Sequence, residues 1–271
     1  MALINGRKIA DSILKDIAKK TASIKPKPSL AVILVGNNPA SVSFIKQKKR
    51  AAIAAGIRFS VTHLPSTVSK ETLHSHIVAL SKKSPLILQL PLPKKFKNIS
   101  DILNAVPVKR DADCLSRTCI GTITLDPIVL PPTVAAFKKI LLKYRISPAK
   151  KKIAIVGMGR LVGAPLYLWL LSQHADVTGC DKYTKNISGI ISTADIVISG
   201  VGISGFIKGK DIKKSAVLID YGFAQNKQGK ISGDFEFSSC SKKASLITPV
   251  PGGMGPLTVA CLIENTVKLT N

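Results

Sequence analysis

Hydrophobic and polar positions follow two rhythms along this chain. Ile9, Ile13 and Ile17 recur at helical spacing, which predicts an amphipathic helix over residues 6–20. Residues 29–35 (SLAVILV) are a continuous apolar run of strand length, closed by the turn Gly36-Asn37-Asn38-Pro39. Pro39 suits the first turn of a helix, expected over residues 40–55. Residues 57–63 read as a strand, residues 69–80 as a helix capped by Ser69, and residues 86–89 as a short buried strand. Leu90-Pro91-Leu92-Pro93 ends that strand, since proline cannot donate to the middle of a sheet. Strands alternating with helices predict a parallel α/β unit.

Pro127, Pro131 and Pro132 mark a boundary, after which the alternation resumes. A helix is expected over residues 133–144 and strands over 153–156, 176–180, 195–199, 216–219 and 245–247. A long final helix over 255–269 is expected to return to the first unit. The reading is therefore an α/β protein of two domains with a cleft between them. Residues 1–125 plus 256–271 form one, and residues 126–255 form a Rossmann-like dinucleotide-binding domain.

Composition narrows the class. In 271 residues, a 45% hydrophobic fraction excludes a disordered chain. No apolar run approaches the ~18–20 residues of a membrane-spanning helix, so no membrane association is expected. The N-terminal residues lack an apolar signal segment, and a reducing cytoplasmic setting is expected. Cys114, Cys119, Cys180, Cys240 and Cys261 are odd in number and widely spaced, which argues against a disulfide framework or zinc site. His74 and His76 are poorly spaced as helical ligands, so no metal is expected.

The net charge of +25 is spread over both halves. It suits nucleic acid, a lysine-rich surface set by genome composition, or a field attracting polyanionic small molecules such as dinucleotides or polyglutamates. The 5% aromatic content and the lack of a nucleic-acid motif favour the last two.

Candidate chemistry begins after residues 153–156, with Gly157-Met158-Gly159-Arg160-Leu161-Val162-Gly163. Glycines between a strand and a helix permit a tight turn and bring backbone N–H groups close to a pyrophosphate. The third glycine falls one place later than in the usual fingerprint. The next strand ends at Asp181, where a carboxylate accepts from a ribose diol and repels a 2′-phosphate. Arg160 and Lys182 counter that preference. The alternative is a tight turn without a ligand.

Together these residues carry a family pattern. Thr248-Pro249-Val250-Pro251-Gly252-Gly253-Met254-Gly255-Pro256-Leu257-Thr258-Val259-Ala260, followed by Leu262-Ile263-Glu264-Asn265-Thr266, resembles the signature of the bifunctional methylenetetrahydrofolate dehydrogenase/methenyltetrahydrofolate cyclohydrolase family. Gln89-Leu90-Pro91-Leu92-Pro93, Val35-Gly36-Asn37-Asn38-Pro39-Ala40-Ser41, Val162-Gly163-Ala164-Pro165, Thr184-Lys185-Asn186 and Gly205-Phe206-Ile207 match in order. The resemblance covers essentially the whole chain. It implies NAD(P)+-dependent oxidation of 5,10-methylenetetrahydrofolate to the methenyl cation, then hydrolysis to 10-formyltetrahydrofolate. It also implies a homodimer serving one-carbon metabolism and purine biosynthesis.

The resemblance carries roles onto particular residues. Lys48 matches the catalytic lysine and Gln89 the glutamine that contacts it. To take a proton Lys48 must be neutral, which burial and the charges of Lys49 and Arg50 favour. Without the resemblance, Lys46, Lys48, Lys49 and Arg50 read as a solvated basic face. Phe44 stands one helical turn earlier, where the family has tyrosine, and lacks the phenol. Asp113 matches the aspartate that holds the pterin, and Pro251, Gly252 and Gly253 match the loop lining the folate site. Phe223 falls where the family's backbone meets the nicotinamide side.

Departures cluster in two places. One extra residue precedes Asp111, Cys114 stands where the family has glycine, Arg117 where it has proline and Cys119 where it has asparagine. A positive φ at the glycine position would strain Cys114. In the dinucleotide loop, Gly157-Met158-Gly159 replaces Gly-Arg-Ser, which removes an arginine associated with NADP. NADP+ is the family default, and Asp181 leans towards NAD+. Two alternatives remain open: a monofunctional relative with one half-reaction impaired, and a non-catalytic basic nucleic-acid-binding homologue.

Overall fold

The computed structural model describes residues 2–125, 127–225 and 229–270. In chain order the first elements are β1 (Ala2–Leu3), α1 (Gly6–Ala22), β2 (Ser29–Val35), α2 (Pro39–Ala54), β3 (Arg58–Leu64), α3 (Lys70–Ser81), β4 (Leu86–Leu88), α4 (Ile99–Leu103) and α5 (Arg117–Gly121). There follow α6 (Pro132–Tyr144), β5 (Lys152–Val156), α7 (Gly163–Leu171), β6 (Asp176–Cys180), α8 (Ile187–Thr193), β7 (Ile196–Ser199) and β8 (Val217–Asp220). The last are β9 (Ala224–Gln225), β10 (Ile231–Ser232), α9 (Phe237–Cys240), β11 (Leu246–Ile247) and α10 (Met254–Lys268). The chain divides into two compact units, one of residues 1–9 and 133–258, the other of residues 10–132 and 259–271.

The unit of residues 10–132 and 259–271 is built on a parallel sheet of order β3-β2-β4. The central strand β2 explains its uninterrupted apolar sequence. Leu30, Val32 and Leu34 face a cluster containing Ile45 and Ala52 of α2 and Leu262 and Ile263 of α10. Ala31, Ile33 and Val35 face a second cluster with Leu73 and Ile77 of α3 and Leu103 of α4. A strand covered on both faces loses the polar half of its alternation. The ends of α2 and α3 are set locally. Asn38 accepts a hydrogen bond from the Ser41 N–H with Pro39 in the first turn, and the Ser69 hydroxyl accepts from the Thr72 N–H.

The other unit carries a six-stranded parallel sheet of order β1-β11-β8-β7-β5-β6. From β5 the chain winds outward to β6, then returns to the opposite side of β5 as β7. That reversal makes the C-terminal end of β5 the switch point where doubly wound sheets bind ligands. Ala154, Val156, Val197, Leu218 and Ile247 pack one face of the sheet against Ile191, Phe235 and Cys240.

Two features depart from the pattern read along the chain. β1 is only two residues long, too short for periodicity, and pairs in parallel with β11, with Ala2 N donating to Ser245 O and Ile4 N to Ile247 O. By contact, residues 1–9 group with residues 133–258, and the divisions between the units fall at 9/10, 132/133 and 258/259. The β9–β10 hairpin and the short helices α4, α5, α8 and α9 lack a readable repeat.

Candidate active site

In α2 the buried Ser41, Ile45 and Ala52 define the inward stripe, and Lys48 occupies that same stripe. Its neighbours Lys46, Lys49 and Arg50 are exposed, while Lys48 is half-buried. A basic face therefore accounts for three of these four side chains and not for the fourth.

Gln89 meets Lys48 from the end of β4. Its N–H donates to Ile33 O, extending the strand pairing by one residue. Its side chain is 6% exposed, with Nε2 donating to Leu90 O at 2.7 Å and Oε1 accepting from Lys48 Nζ at 2.9 Å. The backbone contact thus orients the amide so that its oxygen faces the amine. Leu90 O also accepts from Ser41 Oγ at 3.3 Å, tying the Leu90-Pro91 segment (a cis peptide) to the start of α2.

Asp113 completes the group. Burial pushes its carboxyl above the usual carboxylate range, and the positive charge of Lys48 opposes that shift. The loop holding it is organised by Asp111, whose Oδ2 accepts from Leu115 N at 3.0 Å and Ser116 N at 2.8 Å. Burial also raises the Asp111 carboxyl, against those hydrogen bonds. Asn265 of α10 donates to Ala112 O and Leu130 O, at 3.0 and 2.8 Å. Cys114 sits at φ 52°, the left-handed region where a Cβ is strained. Phe44 lies half-buried one turn before Lys48. Sequence reasoning missed Asp111 and the framing role of Asn265. The signal for Asp111 was a second carboxylate two residues before Asp113, in a loop otherwise short of acids.

In the unit of residues 1–9 and 133–258, the glycine loop occupies the switch point at the end of β5. Gly157 adopts φ 98°, and its N–H donates to Cys180 O. A Cβ at Gly163 would collide with the Gly157 carbonyl, whereas one at Gly159 would meet open space. The loop is thus tight on its sheet side and open on the other, which fits close approach of a phosphate. Met158 packs its sulfur over Gly179 of β6. At the end of β6 the exposed Asp181 carboxylate accepts from Tyr183 N and Thr184 Oγ1, and Lys182 Nζ lies 4.8 Å from the Tyr183 ring. Arg160 is exposed, and Phe223 is 43% exposed.

Pro251, Gly252 and Gly253 lie between β11 and α10, and Arg7 N donates to Gly252 O. A Cβ at Gly6 would collide with the Gly253 carbonyl, so this loop is held by close backbone contact with the N-terminal segment. Beneath the loops after β7 and β8 lies a carboxylate network missed from the sequence. Asp234 accepts from Ser199 Oγ, Val201 N and Ile203 N, and Asp220 accepts from Gly222 N, Asp234 N and Phe235 N. Burial pushes Asp220 up to about 7 despite those three N–H groups. Among the described residues no group of three or more metal-ligating side chains occurs, and no helix is long and apolar enough to cross a membrane.

The arrangement is that of a two-unit α/β protein with a dinucleotide-type loop in one unit and a lysine–glutamine–aspartate group in the other. Residues 4–113 match the family described as tetrahydrofolate dehydrogenase/cyclohydrolase, catalytic domain, and residues 131–271 match its NAD(P)-binding domain. The chain is 37% identical to the bifunctional protein FolD of Bacillus pumilus over 98% of its own length and 96% of the relative's. It is likewise 37% identical to FolD of Neisseria gonorrhoeae, with the same coverage. Among solved structures it is similar to the bifunctional FolD dehydrogenase/cyclohydrolase of Campylobacter jejuni, with TM-score 0.94, 33% identity, and 99% and 98% of the two chains covered. It is also similar to FolD of Trypanosoma brucei complexed with NADP and an inhibitor, with TM-score 0.93, 30% identity, and 99% and 96% covered. The chain belongs to the tetrahydrofolate dehydrogenase/cyclohydrolase family.

Proposed function

We propose that this protein oxidises 5,10-methylenetetrahydrofolate to 5,10-methenyltetrahydrofolate with NAD(P)+ and hydrolyses the product to 10-formyltetrahydrofolate. The observation that carries the reading is the 2.9 Å contact between Lys48 Nζ and Gln89 Oε1, with the desolvated Asp113 carboxyl beside the amine.

When bound, NAD(P)+ supplies the hydride acceptor for the first half-reaction. Gly157, Met158, Gly159 and Arg160 are the proposed pyrophosphate cradle, and Asp181 and Lys182 the groups at the adenosine ribose. Phe223 contributes backbone on the nicotinamide side. Pro251, Gly252 and Gly253 line the folate site, and Phe44 offers an aromatic face to it. Asp113 accepts from the adjacent N–H donors of the pterin amino-pyrimidine edge, which replace the water that burial removes. In the second half-reaction Lys48 Nζ is the proposed acceptor of a proton from the water attacking the methenyl carbon. Gln89 holds the amine in place for that transfer. The bond from that carbon to N5 then breaks, N5 takes up a proton as the hydroxyl gives one up to become the formyl carbonyl, and the proton held by Lys48 is released to solvent.

The Asp181 carboxylate favours NAD+ over NADP+, since a 2′-phosphate there would meet its charge. Comparing kcat/KM for the two dinucleotides tests this, and Asp181→Ser is expected to raise use of NADP+. The exposed edge strand β3, with Arg58, Ser60, Val61 and His63 outward, supports a homodimer joined at that edge. Sedimentation of the wild type against Val61→Lys tests that surface. All five cysteines are free and buried, which suits a reducing cytoplasm.

A second reading, a monofunctional relative, is favoured by the strained Cys114 beside Asp113 and the missing phenol at Phe44. Following cofactor reduction and methenyl disappearance separately distinguishes the two. Loss of one signal alone supports the monofunctional reading. Absence of both with either dinucleotide overturns the proposal.

A further inference from the structure

Two of the five cysteines lie together. Cys114 and Cys119 are 0% and 2% exposed, belong to one core cluster, and lie close enough for each thiol to perturb the other. Their surroundings hold them there. Cys114 N donates to Asp111 O at 3.1 Å, and its sulfur lies 3.6 Å from Val129 O. Cys119 N donates to Ser116 Oγ at 3.4 Å. Asp111 pins the chain between them through Leu115 and Ser116. Asp113 adjoins Cys114 in sequence, so whatever repositions that sulfur pulls on the residue proposed to hold the pterin.

We propose that Cys114 and Cys119 are an oxidation site, closing a reversible disulfide that displaces the Asp113 loop and switches the enzyme off. The oxidant is a small peroxide. The Cys119 sulfur attacks one peroxide oxygen, the O–O bond breaks, and one water leaves with the formation of a sulfenic acid. The Cys114 sulfur then attacks the oxidised sulfur, the S–S bond forms and the second water leaves. In sum two thiols lose two electrons and two protons, and hydrogen peroxide becomes two waters. Hydrogen peroxide is close to water in size, and α5, which carries Cys119, is only five residues long with exposed Arg117 and Thr118. Brief opening of that helix admits it.

The protonation preferences support this order of attack. The neighbouring Cys114 thiol holds the Cys119 thiol below its ordinary value, against burial. Cys114 donates its S–H to Val129 O, and the Cys119 sulfur and burial push its thiol up, so Cys114 keeps its proton and Cys119 has the more nucleophilic sulfur. The left-handed φ of 52° at Cys114 adds a backbone that gains from rearrangement.

Bond formation can be read without substrate. The native protein is treated with hydrogen peroxide, its free thiols are alkylated in denaturant, and intact mass and tryptic peptides are measured. Cleavage after Arg117 separates the two cysteines, so the bond joins peptide 111–117 to peptide 118–138. The expected result is a loss of about 2 Da before alkylation, that cross-linked peptide pair, and full reversal by dithiothreitol. Cys119→Ser is expected to abolish the cross-link. Thiols that stay free, oxidation to sulfinic acid without a cross-link, or a bond between other cysteines would overturn the proposal.

The effect on turnover rests on the folate reading of Asp113. Oxidised wild type is expected to lose activity about tenfold or more and to regain it on reduction, while Cys119→Ser stays active throughout. A cross-link with unchanged turnover refutes the switch. Reduced protein that never turns over folate refutes the folate reading and leaves the disulfide standing.

Discussion

Lys48, Gln89 and Asp113 come from a helix, a strand end and a loop, and their side chains carry the proposed chemistry. Gly157, Gly159 and Gly163 lie within one short stretch and serve by having no side chain. The two regions therefore resist different changes. Lys48 itself is half-buried at the edge of the apolar core, so a substitution there alters chemistry more than folding. In the glycine loop backbone touches backbone, so a methyl group alters shape first and binding as a consequence.

The largest effect is expected from Lys48→Met. It removes the proposed base and should lower methenyl hydrolysis by ~10²–10⁴-fold while leaving the thermal midpoint nearly unchanged. An unchanged rate would break the comparison, because the lysine would then belong to the solvated face after all. Gly163→Ala tests the other side. Its methyl has to displace the Gly157 carbonyl, at an expected cost on the order of 1–3 kcal/mol and with loss of dinucleotide affinity. Denaturant unfolding and a dinucleotide titration measure both. Hydrolysis of supplied methenyltetrahydrofolate should survive this change and fail in Lys48→Met.

Buried carboxylates make the two units respond alike to pH. Asp220 is raised from 3.8 to about 7, and Asp111 and Asp113 are raised as well. The neutral acid is favoured in the folded state, so this contribution is full below about pH 4. For Asp220 it declines as pH rises and is gone once the folded carboxyl ionises near 7. Urea midpoints measured from pH 5 to 8 should fall towards 7 and then level off, with a shallower fall in Asp220→Asn. The smallest effect concerns Cys114. Cys114→Gly and Cys114→Ala both remove the sulfur, but only glycine accepts φ 52° freely. The glycine variant should be about 1 kcal/mol the more stable in denaturant melts.

Local pattern determined much of the molecule. The apolar run at β2, the caps Asn38 and Ser69, and the glycine turn after β5 each encode their geometry in neighbouring residues, and those elements lie where the periodicity puts them. Motif resemblance added the family, because Pro251-Gly252-Gly253 and its flanks are specific over a long stretch. Tertiary structure decided the rest. β1 exists only through its distant partner β11, since two residues carry no period. Lys48 could not be separated from Lys46, Lys49 and Arg50 by composition; the stripe it shares with Ser41, Ile45 and Ala52 separates it. Asp220 and Asp234 are ordinary acids in sequence, and only the fold buries them among backbone donors. Cys114 and Cys119 looked like two small apolar fillers, and their contact arises because the Asp111 turn folds one back towards the other. Sequence specifies what neighbouring residues can settle among themselves. Burial and long-range contact depend on where the whole chain goes, and those decided which of its many charged and sulfur-bearing groups do chemistry.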